Sequence, residues 1–132
     1  MYRVVHIEEH DITRWVHLQN LDTGVVDICF DDSAISGDVN FDFLQVGHCY
    51  ECKINLMGEP YPLRVAQKVS CVIIDSTLQI GQRRRIQVKT VDGIYYVPLV
   101  DVADKLPCDC FDYFVARKDL VQVGDIVHAD YL

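Results

Sequence analysis

The sequence has no apolar run close to the roughly 20 residues that a membrane-spanning helix requires. It also has no pattern typical of a signal peptide, because Glu8 and Glu9 follow too soon after the N-terminus for an apolar signal region. These two absences exclude an ordinary helical membrane protein and predict a cytoplasmic one.

Recognisable catalytic motifs are absent as well. The chain contains no Gly-x-Ser-x-Gly elbow, no glycine-rich phosphate loop and no His-Glu-x-x-His pair. Its 5 histidines and 20 acidic residues allow many accidental Cys/His/Asp trios, so such a trio alone carries no weight. We therefore expect a non-enzymatic protein without a cofactor.

Basic residues are scarce in the first part of the chain. Positions 1–60 hold eleven acidic and three basic residues, whereas positions 61–132 hold nine of each. The whole formal net charge of −8 therefore belongs to the first part. A field of this sign attracts basic partners and repels polyphosphate backbones. The acidic segment contributes four candidate partner-binding residues: Asp31, Asp32, Asp38 and Asp42.

Six cysteines are present, and without a signal peptide we expect them to be free thiols. Cys49-x-x-Cys52 and Cys108-x-Cys110 could in principle supply four thiolates to zinc. Residues three apart on a strand point to opposite faces, however, and neither pair carries the glycine of a zinc knuckle. We therefore expect no metal and keep zinc binding as an alternative. The sequence leaves open whether Cys108 and Cys110 are reactive.

Asp38-x-Asn40-x-Asp42 resembles the beginning of a calcium-binding loop. The sixth position, which requires glycine, is Phe43, and the twelfth is Cys49 rather than an acidic residue. We interpret the segment as an acidic loop in which Asp42 caps a short helical turn.

Half of the residues are hydrophobic, which is enough for the core of one compact domain over residues 1–132. The first part of the chain is rich in β-branched residues. This pattern predicts an antiparallel meander of three strands, with turns at His10-Asp11 and Asp22-Thr23-Gly24. The strands lie at Tyr2–Glu9, Trp15–Leu18 and Val25–Phe30. A further strand reaches about Leu56, before a break at Gly58-Glu59-Pro60-Tyr61-Pro62.

The second part repeats this order. Strands are predicted at Val69–Asp75, Arg84–Val91 and Ile94–Val97, and Asp92-Gly93 is a strong hairpin signal between the last two. Val102–Lys118 is predicted to be a loop or a short helix. A final strand is predicted at Ile126–Tyr131.

One stretch occurs twice: Asp42–His48 recurs as Asp119–Asp125, and in each copy a glycine precedes a strand-like run. Gly47 and Gly124 fit a sharp turn, because glycine adopts positive φ without a Cβ clash. We therefore predict pseudo-repeats over approximately residues 2–57 and 69–131, each a β-β-β-connection-β unit. The longer second unit carries an insertion near Leu106–Cys110.

This order of a three-stranded meander, a variable connection and a Val-Gly turn into another strand resembles the oligonucleotide/oligosaccharide-binding barrel, the OB-fold. The resemblance covers most of each half and is architectural. It implies an all-β protein, either one OB-like barrel or two fused half-barrels. Members of that fold bind nucleic acids, sugars or proteins, so the fold does not determine the function.

The only basic cluster is Arg83-Arg84-Arg85 with Lys89. Alternation places Arg85, Gln87 and Lys89 on one face of a strand, with Tyr95 or Tyr96 on the partner strand beside them. Positive charge beside an aromatic side chain suits single-stranded nucleic acid. The candidate contacts are Arg83, Arg85, Lys89, Tyr95 and Tyr96.

The leading hypothesis is a binding module that holds a basic protein through its acidic face. Nucleic-acid binding by the Arg83–Lys89 strand is the alternative, and zinc binding the second alternative. The sequence does not give the partner or the oligomeric state.

Overall fold

The computed structural model describes residues 1–61 and 67–132 and is almost entirely β-structure. Its strands in these ranges are β1 (Tyr2–His10), β2 (Thr13–Asn20), β3 (Val26–Asp31), β4 (Cys49–Tyr50), β5 (Cys52–Pro60), β6 (Val69–Ile80), β7 (Arg83–Thr90), β8 (Gly93–Pro98), β9 (Cys110–Val123) and β10 (Ile126–Val127). The described part also contains one short α-helix, α1 (Ser33–Ser36), and 3₁₀ turns at Leu99–Asp101, Ala103–Lys105 and Ala129–Tyr131. None of the helices in these ranges has the length and apolar character that a membrane crossing requires.

The first meander forms as predicted, with β1 antiparallel to β2 and β2 antiparallel to β3. Burial alternates along β2, so that Val16 and Leu18 are fully buried whereas Trp15, His17 and Gln19 are only partly buried. Gly24 adopts a positive φ of 78° in the predicted turn before β3. The alternation of apolar residues is therefore sufficient to explain this sheet.

The second meander, β6–β7–β8, is also antiparallel throughout. Ile86 and Val88 are fully buried, whereas Lys89 is exposed, which confirms the predicted alternation along β7. Thr90 pairs with Gly93 across a two-residue turn, so the hairpin predicted from Asp92-Gly93 is confirmed.

A further strand in each half returns to the start of its own meander. In the first half β4 pairs with β1, and in the second half the beginning of β9 pairs with β6. The two halves then join, because β5 runs antiparallel to β9 along its whole length. Parallel pairings of β3 with β9 and of β5 with β8 add to this junction.

These pairings close five strands, β5, β6, β7, β8 and β9, into a hydrogen-bonded ring that is loosely barrel-like. Strands β1–β4 extend from β9 through β3, and β10 pairs with the end of β9. One main apolar cluster fills the interior and includes Leu18, Ile54, Leu56, Ile86 and Tyr113, all of them almost fully buried. Both halves contribute to it, so they share a core.

The two copies of the repeated stretch adopt different local structures. Gly47 and Gly124 both have positive φ, at 89° and 56°, and each precedes a two-residue strand. However, Asp42–Gln45 lies in hydrogen-bonded turns rather than a helical turn, whereas Asp119–Val123 belongs to β9. The two-residue strands also pair differently, β4 with β1 and β10 with β9.

Three further predictions of local structure are wrong. Strand β9 begins at Cys110, so most of the predicted loop over Val102–Lys118 is a strand whose Phe111 and Tyr113 point inwards. Strand β5 continues through Gly58 to Pro60, because β9 supplies partners along this stretch. The strand predicted at Ile126–Tyr131 ends at Val127. Pro62, the end of the predicted break, lies outside the described residues.

Candidate functional site

An acidic cleft lies at the turn between β1 and β2. It has a volume of about 370 Å³, and four carboxylates and a single guanidinium line it together with apolar and hydroxyl groups. The lining residues are Glu9, Asp11, Ile12, Thr13, Arg14, Asp31, Ala34 and Asp42. The cleft therefore combines the end of β1, the following turn, the end of β3 and the acidic loop.

Arg14 and Asp31 form a buried ion pair in this cleft. Only 8% of Arg14 and 3% of Asp31 are exposed, and Arg14 Nε donates to Asp31 Oδ2 over 2.7 Å. Arg14 also donates to the carbonyl oxygen of Phe41, and Asp31 Oδ1 accepts the backbone N–H of Ser33 at 2.9 Å. Asp31 therefore fixes α1 and the acidic loop to β2, and its carboxylate is not a free surface group.

The other three predicted acidic residues lie in different surroundings. Asp42 is exposed and lines the cleft, Asp38 is exposed outside it, and Asp32 is half-buried beside His128. Asn40 orders this loop, because its Oδ1 accepts the N–H of Asp42 at 3.0 Å and its Nδ2 donates to Gly37 O. Sequence reasoning missed Glu9 and Asp11, whose only signal was their charge beside a predicted turn.

His128 connects the end of the chain to the acidic loop. Its ring is almost fully buried, with Nε2 2.6 Å from Asp32 Oδ1, and its Nδ1 accepts the backbone N–H of Asp130 at 3.1 Å. Since Nδ1 accepts a hydrogen bond, the proton of a neutral ring lies on Nε2 and is donated to Asp32. Both ring nitrogens are thus engaged, and neither is a free base.

The ligand atoms of Asp32, His128 and Asp130 lie within 4.8 Å of one another, a spacing that a metal ion could use. A histidine that binds metal through one nitrogen normally donates a proton from the other. Here Nδ1 accepts from a backbone N–H, so a metal on Nε2 would require a ring without any proton. The arrangement fits a hydrogen-bonded clasp better than a metal centre.

The basic strand β7 has its predicted orientation but not a free face. Arg85, Gln87 and Tyr96 share the outer face, where Gln87 Nε2 donates to the Tyr96 hydroxyl at 3.2 Å. Residues 126–132 cover part of this face, since Arg83 donates to Asp130 O and Arg85 to the Tyr131 hydroxyl. The full basic platform predicted for nucleic acid is therefore not exposed.

Tyr95 points the other way, into the interior, where it is 2% exposed. Its hydroxyl donates to Asp27 Oδ2 at 2.7 Å, and Lys118 Nζ lies 2.5 Å from Asp27 Oδ1. Burial and the hydrogen bond to the Asp27 carboxylate raise the pKa of Tyr95 far above its ordinary value. Of the two tyrosines between which the sequence leaves the choice open, Tyr96 is therefore the one on the basic face, because successive residues of β8 point to opposite sides.

The four cysteines proposed as zinc ligands are not brought together. Cys52 is paired with Val123 at one end of β9, whereas Cys110 begins that strand at its other end. Cys49 and Cys110 are exposed, and Cys52 and Cys108 are half-buried. Desolvation raises the pKa of Cys52 to about 12, which disfavours the thiolate that zinc requires. A single zinc site made of all four cysteines is therefore excluded, because Cys52 and Cys110 lie at opposite ends of β9.

Comparisons of the chain with protein-family models, curated proteins and solved structures find no match. The function therefore has to follow from the surface of the molecule itself.

Proposed function

We propose that this protein is a non-enzymatic binding module whose acidic cleft holds a basic segment of a protein partner. The observation that carries the proposal is the composition of the cleft, in which Glu9, Asp11, Asp31 and Asp42 surround the single guanidinium of Arg14. Because Asp31 already neutralises Arg14, the remaining carboxylates leave the cleft negative. A lysine or arginine side chain complements this charge.

An apolar contact is available beside these charges. Ile12 lines the cleft and is 64% exposed, and Ile35 of α1, which directly follows the lining residue Ala34, is exposed as well. Apolar side chains at the centre of an interface supply binding energy, whereas exposed charges mainly steer the encounter. The partner segment is therefore expected to carry an apolar residue next to its basic ones.

The test compares the native protein with the variant Asp11→Lys/Asp42→Lys as immobilised bait in a lysate of the native host. Both side chains are exposed, so the changes leave the core intact. A basic protein captured by the native bait is then titrated in solution. We expect the double reversal to lower its association rate constant at least about tenfold, because long-range attraction becomes repulsion.

The matched control is Asp104→Lys/Asp125→Lys, which changes the net charge equally at exposed positions outside the cleft. The control is expected to retain most of the association rate. Added salt should reduce binding by the native protein, since the Debye length is about 10 Å at 0.1 M salt. Equal loss in both variants, or binding that salt does not affect, would contradict the cleft as the site.

For the architecture, we propose an OB-like fold that arose by duplication of a β-β-β-connection-β unit over approximately residues 2–57 and 69–131. The proposal is supported by the equivalent order of strand pairing in the two halves. In each half a later strand pairs with the first strand of its own meander. Each half also lends a strand to the other through the β5–β9 pair. Residues 1–61 expressed alone are expected not to fold as a monomer, because β5 then lacks its partner β9. A cooperative thermal transition of that monomer would contradict the dependence of each half on the other.

A further inference from the structure

Residues 126–132, here called the strap, lie across the outer face of the ring. The strap consists of β10, which pairs with the end of β9, and the 3₁₀ turn Ala129–Tyr131. Val127 and Tyr131 pack on a small apolar cluster of Ile80, Tyr96 and Val121, which is separate from the main core. The strap therefore covers an apolar surface that belongs to the sheet.

The strap also contacts the two arginines beside that cluster, Arg83 and Arg85. Arg83 donates through Nε and Nη2 to the carbonyl oxygen of Asp130, at 3.3 and 3.2 Å. The Arg85 guanidinium lies over the Tyr131 ring, 4.8 Å from its centroid, and its Nη2 donates to the Tyr131 hydroxyl at 2.9 Å. Arg85 Nε is buried and has no hydrogen-bond partner among the described residues.

The contacts of the strap with Arg83 and Arg85 resemble those that arginine side chains make with a bound nucleotide. An aromatic ring stacked on a guanidinium plane, with an oxygen that accepts from the same group, reproduces how arginine holds a nucleobase. A carbonyl oxygen that accepts two N–H bonds from one guanidinium reproduces a phosphate contact. The unpaired Nε of Arg85 indicates that Tyr131 fills this place incompletely.

We propose that Arg83, Arg85 and Tyr96 form a binding site for single-stranded nucleic acid. The strap covers this site and makes the contacts that a nucleotide would make there. Opening the strap exposes the Tyr96 ring for base stacking. Lys89 is exposed on the same face of β7, and Lys53 Nζ lies 5.7 Å from the centre of the Tyr96 ring. The uncovered face is thus locally basic, although the chain as a whole is acidic.

The strap is made of shorter elements than the strands beneath it. Besides the arginine contacts, the β10–β9 pairing and the packing of Val127 and Tyr131, its anchors are the His128–Asp32 hydrogen bond and two backbone bonds, His128 N to Val121 O and Gln82 N to Tyr131 O. A two-residue strand and a single 3₁₀ turn are short elements, and such segments open locally well below the free energy of global unfolding. The site is therefore closed in the resting protein and accessible after local opening.

The test measures binding of fluorescein-labelled oligo-dT and oligo-rU of about 12 nucleotides to the full chain at low salt. The opened variant is His128→Ala/Tyr131→Ala, and Tyr131→Phe is its conservative counterpart, which keeps the ring over Arg85. We expect the opened variant to bind at least about tenfold more tightly than the native protein. The Tyr131→Phe protein should behave like the native one.

Two further variants decide whether the gain comes from the proposed site. Adding Arg83→Ala/Arg85→Ala to the opened variant should abolish the gain, whereas adding Arg3→Ala/Lys105→Ala, which removes equal charge elsewhere, should preserve it. Near-ultraviolet circular dichroism verifies that each variant is folded. If the opened variant is not, Tyr131→Ala alone takes its place. No gain in a folded opened variant, or a gain that survives loss of both arginines, overturns the proposal.

Discussion

At the scale of single residues, the Asp27 carboxylate is a charged group whose burial is costly. Its carboxylate is fully buried and is held by Lys118 Nζ at 2.5 Å and the Tyr95 hydroxyl at 2.7 Å. Lys118 lies on β9 and Tyr95 on β8, so Asp27 of β3 ties the first half to the second. Burial of a charge is costly unless such partners compensate it.

Removing the ammonium group with Lys118→Met should destabilise the protein by about 3–5 kcal/mol, because Asp27 keeps its buried charge and loses its counter-ion. The double variant Asp27→Asn/Lys118→Met removes both charges and is expected to be markedly more stable than Lys118→Met alone. Urea denaturation of Lys118→Met, of Asp27→Asn and of the double variant measures the three losses of stability. Strictly additive losses from the two single changes would show that the ions do not interact.

At the scale of elements, the β5–β9 pair holds the two halves together. Its register shifts at Met57/Gly58, where an ideal Cβ on Gly58 would lie 1.8 Å from the carbonyl oxygen of Phe114. A glycine is needed here because the two backbones approach too closely for any side chain.

Gly58→Ala is therefore expected to lower the free energy of unfolding by about 2 kcal/mol or more, since β5 or β9 must shift to admit the methyl group. Gly37→Ala is the matched control. A Cβ there meets Ala129 at an ordinary 3.5 Å, and its φ of 177° is extended, so a change of within about 0.5 kcal/mol is expected. Thermal or urea unfolding of both variants checks this, and equal losses would contradict the close approach.

At the scale of the whole molecule, buried thiols are distributed over both halves. Cys29 and Cys71 are fully buried. Desolvation raises the pKa of Cys71 from 9.0 to about 11 and that of Cys52 to about 12, and it raises the pKa of Cys29 well above 9.0. In the unfolded chain these thiols are exposed to water.

We expect stability to fall as the pH rises above about 9. The unfolded chain then loses thiol protons that the folded protein retains, so the unfolded state binds fewer protons and its relative free energy decreases. Stability from these thiols is fully present below pH 9 and is lost through about pH 11 to 12. Thermal melts under reducing conditions measure the decline, and Cys52→Ala should make it shallower. An unchanged slope in that variant would exclude Cys52 as a contributor.

The candidate cleft could be predicted only in part. Asp42 was identified from its acidic surroundings, and it does line the cleft. The sequence predicts Asp31 as a partner-binding residue, but its carboxylate is buried against Arg14, which is 17 residues earlier in the chain. Glu9 and Asp11 join the cleft because the β1–β2 turn lies beside the acidic loop, a proximity that no local pattern contains.

The sequence by itself determined the all-β class, both meanders, the hairpin after Thr90 and which residues of β7 point away from the core. These features follow from alternation and turn chemistry within a few neighbouring residues, where each side chain carries its own signal. Only the tertiary structure decided that β9 begins at Cys110, that it closes the ring, and that residues 126–132 cover Arg83 and Arg85. Those outcomes depend on which distant strand supplies hydrogen-bond partners and apolar contacts. This is determined by the packing of the whole chain and not by any local segment.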